Sequence, residues 1–482
     1  MKRVKFLCAA WLALLTLTAR PQETATVGIA APVVDRRVEL MTIVARLADF
    51  PEYQSSLVRA YTDSLDAWFA PYRNHAAVAS LRELREQRGV AYDAVPIMGV
   101  YLSEPPRLRA RFPLTATQPD ERWDVKSGKK FIRLLRRFYR DTRCEAFFER
   151  QDTLFATVER SFQPVFSEID MAWFGRFFGV QHPDGMIPII GMGFGGGNYG
   201  GRILYPDSTA DNYAFMGSWS LWEGQPMFDA ELFKQTIVHE FCHSFVNPTL
   251  EHDTLALCAA EGLYRAEAER MDRQAYTDGR SVLFETFVRA AVICYLREHA
   301  TRVAAENELW AQIDLGFVWM PEAVALLEAY AARRDRYPDF AAFVPRVRSW
   351  CQETVGSMET LHARRAAERE VRREQALKVV AVEPFGNGAQ EVDPALTELT
   401  IRFDRPLAGR GYAFNSHPDS EEGLPVYGRA RYSEDKRAVT VSVRLKPGRT
   451  YRFWVLKDLS FVGADGVRMY EDYLVTFRTR DK

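Results

Sequence analysis

This chain has no excess of charge of either sign. Its 63 basic and 64 acidic residues leave a formal net charge of −1 over 482 residues. No basic stripe with interleaved aromatics is visible, so a nucleic-acid partner is not expected. Cysteine is sparse, with six in all. Beyond Cys8 the remaining five, Cys144, Cys242, Cys258, Cys294 and Cys351, are odd in number and scattered, which is no disulfide framework. Cys242, Cys258 and Cys294 stand in apolar stretches and read as core residues. Past the N-terminal segment, no run is apolar and long enough to cross a bilayer. No internal repeat is evident. Histidine is rare as well, at eight, so two placed close together are informative.

Two such histidines occur in His239-Glu240-Phe241-Cys242-His243. Imidazoles four residues apart on a helix point the same way and can hold one metal ion. The glutamate beside the first can take a proton from a bound water. Local sequence predicts the helix. Asp229 is placed to cap it, with Glu231 in the first turn. Phe233, Ile237, Phe241 and Phe245, flanked by Val238 and Cys242, form an apolar stripe opposite the two histidines. Cys242 therefore points away from any metal. Asn247-Pro248 is expected to end the helix.

A catalytic zinc usually has three protein ligands and an open position for water. After His243 the chain offers His252, Asp253, Glu261, Glu267, Glu269, Asp272 and Glu285. Glu285 stands out, because VLFETFVRAAVICYL, from Val282 to Leu296, carries only Glu285 and Arg289 as charged residues. A helix that apolar is buried, and a buried carboxylate needs a cation or a metal. The alternatives are a plain Glu285–Arg289 pair at i,i+4 spacing, or His252 as the third ligand.

These residues carry a resemblance. A His-Glu-x-x-His helix, followed about forty residues later by a glutamate on a second helix, resembles the gluzincins, the thermolysin-like branch of the zinc peptidases. The runs IVHEFCHSFVNP and ETFVRA are similar to a secreted bacterial family of unknown function within that group, over roughly Arg36 to Trp350. The resemblance implies zinc on His239, His243 and Glu285, Glu240 as general base, and a peptide or protein substrate. It also implies a tyrosine shortly before the ligand glutamate as oxyanion donor. Tyr276 fills that place, with Tyr199, Tyr264 and His252 as rivals. One position departs from the pattern: the acidic residue one turn after the ligand glutamate is replaced by Arg289.

Residues 191–201, GMGFGGGNYGG, hold seven glycines in eleven positions. The GxGxxG match at Gly191, Gly193 and Gly196 is not followed by a helix, and no Gly-Lys-Ser/Thr triplet follows, so a nucleotide loop is excluded. The segment reads either as a flexible surface loop or as a backbone-exposed strand beside the metal cleft. In the second case glycine would allow a substrate strand to approach closely.

Residues from about 36 to 178 show helical spacing, as in RRVELMTIVARLADF and the basic amphipathic KKFIRLLRRFYRDTRCEAFFER. The basic face of the latter reads as solvated, and His75 reads as structural. Short strands follow to about residue 225, then helices to about 355. Residues 356–376 are highly charged and read as a solvated helical connector. From 377 to 482 the period becomes two, in LTELTIRFD, AVTVSVRL, TYRFWVLKD and YLVTFRT. This region resembles bacterial Ig-like β-sandwich domains. At the N-terminus, Lys2, Arg3 and Lys5 precede a short apolar core, as in a secretory signal over 1–19, with a membrane anchor as the alternative.

The sequence thus predicts an α+β chain, with a mainly helical zincin-like domain over 20–355 and an all-β Ig-like sandwich over 377–482. The expected activity is that of an exported zinc peptidase. The alternative is a catalytically inactive zincin-like binding or adhesion protein, and a non-peptidase zinc hydrolase is a third reading.

Overall fold

A computed structural model describes residues 31–482, apart from 116–117, 181–184, 208, 219–220, 223–224, 229, 410, 458–460 and 482. The expected leader over 1–19 and the expected cap Asp229 lie outside the described residues. The chain is an α+β protein. Its first part is helical: α1 (Arg36–Leu47), α2 (Arg59–Phe69), α3 (Ala76–Arg88), α4 (Ala94–Tyr101), α5 (Val125–Asp141), α6 (Cys144–Ser167) and α7 (Met171–Phe178). Side-chain caps set several of these starts. Asp35 accepts from the backbone of Arg37 at 2.8 Å, and His75 Nδ1 caps α3 through Ala77 N at 3.1 Å, the structural role expected for it.

The strands β1 (Gly185–Gly191), β2 (Tyr199–Leu204) and β3 (Ala210–Gly217) then form a small mixed sheet, followed by the short pair β4 (Leu221–Trp222) and β5 (Gln225–Pro226). The order is β1-β3-β2. β1 runs parallel to β3, from Gly185 opposite Asp211 to Gly191 opposite Gly217. β2 runs antiparallel to β3, from Tyr199 opposite Phe215 to Leu204 opposite Ala210. Among the described residues, β2 has no strand on its outer side.

Helices α8 (Ala230–Glu251), α9 (Thr254–Ala266), α10 (Ala268–Asp272), α11 (Gly279–His299), α12 (Arg302–Asp314), α13 (Met320–Ala331), α14 (Phe340–Gly356) and α15 (Met358–Gln375) follow. The apolar stripe of α8 is buried as expected, with Phe233, Ile237, Val238, Phe241 and Cys242 all at 0% exposure. Two expectations are corrected. Asn247-Pro248 does not end α8, which runs on to Glu251. Proline forfeits only the bond to the Ser244 carbonyl, and burial of Val246 and Leu250 holds the last turn in place. Cys258 is exposed rather than core. On α9 the buried stripe is Ala256, Ala260 and Leu263, and position 258 falls between its rows.

The last part holds β6 (Val379–Glu383), β7 (Glu398–Phe403), β8 (Phe414–Ser416), β9 (Val426–Tyr432), β10 (Ala438–Val443), β11 (Thr450–Val455) and β12 (Tyr473–Arg478). They form an antiparallel sheet β6-β7-β10-β9 and a second sheet β12-β11-β8. Leu399, Ile401, Val439 and Val441 from the first sheet share one apolar cluster with Phe453, Val455, Val475 and Phe477 from the second. A separate, larger cluster gathers the buried side chains from Val34 to Leu361. Between the two, α15 buries only Leu361 and Arg365. Among the described residues, no helix is long and apolar enough to cross a membrane.

Candidate metal centre

Helix α8 carries His239, Glu240 and His243, and α11 carries Glu285. Asp278 starts α11 by accepting from Ser281 N at 2.7 Å. The apolar run of α11 packs into the core, as its composition requires, and Trp319 Nε1 locks it by donating to Thr286 Oγ1 at 3.0 Å. The two helices lie against each other and bring His239, His243 and Glu285 together, with one ligand atom from each within 4.8 Å of the others.

The distances test whether a metal fits. His239 Nε2 and His243 Nε2 are 3.1 Å apart. Glu285 Oε2 lies 3.6 Å from His239 Nε2, and Glu285 Oε1 lies 3.4 Å from His243 Nε2. Tetrahedral ligands at about 2.0–2.1 Å from zinc are about 3.3 Å from one another. Two nitrogens and a carboxylate with these spacings suit that geometry. His243 Nδ1 faces Asn247 Oδ1 at 3.2 Å, which fixes the tautomer that leaves Nε2 free for a metal. Burial draws the His239 pKa from 6.5 down to about 3 against the pull of Glu285, so the ring is neutral, its ligating form.

Glu285 is 8% exposed. Burial alone would raise its pKa, but the charge of Arg289 above all brings it down to about 2. Arg289 Nε donates to Glu285 Oε2 at 2.9 Å. Its other nitrogens donate to Gln312 Oε1 at 2.5 Å and to the Tyr276 hydroxyl at 2.8 Å, and its guanidinium lies 4.9 Å from the centre of the Phe317 ring. The expected Glu285–Arg289 pair and the expected ligand trio therefore coexist on one carboxylate. Tyr276 joins the same group of charges. Burial, then the negative charge of Glu285, push its phenol up to about 12.

Glu240 is 6% exposed. Burial and the charge of Glu285 hold its carboxyl well above the usual range, while the Gly200 N–H favours its ionised form. Strand β2 lies directly over this turn of α8. A Cβ on Gly200 would meet the Glu240 carbonyl at 2.6 Å and His243 Cβ at 2.9 Å. The glycine-rich segment is thus no surface loop. Met192, Gly193, Phe194 and Gly195 are buried, and the loop is pinned where Met192 N donates to Glu39 Oε1 at 2.8 Å and Gly217 N to Asn198 Oδ1 at 2.9 Å. It borders a cavity of about 640 Å³ that also reaches Glu240.

The rival ligands are placed elsewhere. His252 is exposed just past α8. Asp253 binds Arg348 at 2.5 Å, Glu261 accepts from Gly279 N at 3.0 Å, and Glu267 pairs with His362 at 2.8 Å. Glu269 holds Arg273 at 2.9 Å, while Asp272 accepts from Tyr264 at 3.0 Å. Asn247, Gln312 and Glu39 were missed in the sequence. For Asn247 a signal was present: it stands four residues after His243.

A family model described as a domain of unknown function, DUF4932, matches residues 120–349, which include the small sheet, α8 and α11. No curated protein matches the chain. Three solved structures show limited likeness. CopC from Methylosinus trichosporium OB3b is 16% identical, over 22% of this chain and 93% of that one, with a TM-score of 0.17. Native alpha-2-macroglobulin from Escherichia coli is 18% identical, over 24% of this chain and 35% of that one, with a TM-score of 0.17. The surface layer protein SbsC is 14% identical, over 55% of this chain and 36% of that one, also with a TM-score of 0.17. Scores this low establish no shared fold.

Proposed function

We propose that this chain is an exported zinc-dependent peptidase of the gluzincin type, with a C-terminal Ig-like β-sandwich. The observation that carries the proposal is the convergence of His239, His243 and Glu285, from two helices, at 3.1 to 3.6 Å. Zinc held there would supply a Lewis acid and a water that ionises near neutral pH.

The chain's own groups divide the remaining work. Glu240 accepts the proton of the attacking water and passes it to the leaving amine. Burial favours its protonated form and the Gly200 N–H its ionised form. Tyr276, on the Glu285 side, is the candidate donor to the developing oxyanion. Arg289 holds its hydroxyl at 2.8 Å. Among the described residues no strand pairs with the outer edge of β2, and its backbone groups are offered to an extended peptide. The two C-terminal sheets with alternating burial and one shared apolar cluster support the Ig-like reading. Export rests on Lys2, Arg3, Lys5 and the apolar core that follows them.

Arg289 favours a second reading, an inactive zincin-like binding protein, because a cation on the ligand carboxylate competes with the metal. One variant separates the two. Glu240→Gln should keep one zinc per chain, measured by metal analysis, and lose peptide cleavage by at least about 100-fold. Full cleavage by that variant would remove Glu240 from the mechanism. Zinc without cleavage of a broad peptide library by the natural chain would favour the binding reading.

A further inference from the structure

The cavity of about 640 Å³ beside Glu240 is lined by a second carboxylate residue, Glu52. The Glu52 side chain is only 8% exposed. One of its oxygens, Oε1, accepts from Arg85 Nη1 at 2.6 Å and from Tyr92 N at 3.1 Å. The other, Oε2, is buried and takes no hydrogen bond. A buried carboxylate oxygen without a donor is costly, and here it belongs to a residue lining the cavity.

The surrounding walls are aromatic. Tyr92, Phe194 and Tyr199 line the same cavity, with Ser55 beside them. Tyr92 and Tyr199 meet edge to face, with ring centres 6.4 Å apart. Tyr92 is held at φ 47°, in the left-handed region that a bulky side chain rarely adopts. Two hydrogen bonds enforce that backbone: the one to Glu52, and Tyr53 Oη donating to the Tyr92 carbonyl at 2.8 Å. Strain kept in place by a carboxylate that still has an oxygen to spare points to a binding site rather than to packing. A carboxylate and three aromatic side chains lining one cavity are the environment that recognises an organic cation.

We propose that this cavity is a specificity pocket taking a cationic group of the substrate, an ammonium or a guanidinium, beside the bond to be cut. The Glu52 carboxylate accepts from it, and the rings of Tyr92, Phe194 and Tyr199 cover its stem. The placement next to the scissile bond rests on the peptidase reading, because Glu240 lines the same cavity. Two sources share this chemistry, a lysine or arginine side chain and a peptide α-amine.

Calorimetric titration of the full chain with N-acetyl-arginine amide, N-acetyl-lysine amide, N-acetyl-norleucine amide, N-acetyl-leucine amide and leucine amide tests the pocket without needing turnover. At least about tenfold tighter binding of a charged side chain than of norleucine is expected. Glu52→Gln should abolish that preference, and Tyr92→Leu, at a half-exposed position, should weaken it about threefold. If leucine amide alone outbinds its acetylated form by that margin, the cation is the α-amine. Equal binding of charged and uncharged ligands overturns the proposal, as does an undiminished preference in folded Glu52→Gln. Should Glu52→Gln not fold, the ratio in the natural chain and its change in Tyr92→Leu decide the matter. Cation binding without cleavage of any peptide would overturn the peptidase reading and leave the pocket standing.

Discussion

Glu285 sits between a guanidinium and two imidazoles, and that single side chain was readable from composition alone. A carboxylate and an arginine in an otherwise apolar stretch of fifteen residues must be paired, because an isolated buried charge costs several kcal/mol. What the sequence did not disclose is that the pairing with Arg289 leaves the imidazole side of the carboxylate open. Asn247 is hidden for a related reason: Pro248 reads as a helix stop, which puts residue 247 at the end of α8 rather than inside it. Glu39 shows the same kind of signal, a lone acid within VELMTIVA, but the sequence does not show which donors it meets. It is fully buried, accepting from Tyr61 at 2.7 Å and from Met192 N at 2.8 Å. Burial, against these two donors, raises its pKa from 4.5 to about 7. The folded state therefore binds more protons across that window, and this contribution to stability is lost as pH rises from 4.5 through about 7. Glu39→Gln removes the loss. Between about pH 5 and about pH 8, its urea midpoint should fall less than that of the natural chain, with a difference on the order of 3 kcal/mol at the upper end. Parallel pH profiles would show that Glu39 is not held protonated.

At the scale of elements, periodicity located α8, α11 and the later strands, since an apolar stripe at helical or alternate spacing is a local property. The order β1-β3-β2 is not local, because a parallel pair depends on what lies between its strands. The glycines of 191–201 were ambiguous in sequence, as glycine serves a loose loop and a close approach equally. The close approach is the one realised: β2 rests on α8 at Gly200, with backbone and the His243 side chain inside 3 Å of a would-be Cβ. Gly200→Val should therefore push β2 off α8, displace His243 and lower zinc affinity at least about tenfold, measured by competition with a chromophoric chelator. Unchanged affinity would mean that β2 does not help to hold the site.

Over the whole molecule, the buried apolar side chains fall into two clusters joined through the sparsely buried α15. The change from helical to alternating period near residue 377 marked that division in the sequence. The contacts across it were not legible. Among the described residues they include Asn307 Nδ2 donating to the Gly466 carbonyl at 3.2 Å and Arg373 over the Tyr470 ring at 4.9 Å. Two separate apolar cores should melt separately. Scanning calorimetry is expected to resolve two transitions, only one of which moves up when zinc is added, by about 4 kcal/mol at a thousandfold excess over Kd. A single transition that shifts as a whole would show the two cores to be one cooperative unit.

The zinc content of the purified full-length chain, by mass spectrometry after reconstitution and removal of loosely held metal, tests the central claim most directly. The natural chain should carry one zinc, and the paired replacement His243→Ala with Glu285→Ala, folded by circular dichroism, should carry none. A natural chain that takes up no zinc, or a paired variant that retains it in full, would contradict the assignment of His239, His243 and Glu285 as a metal centre.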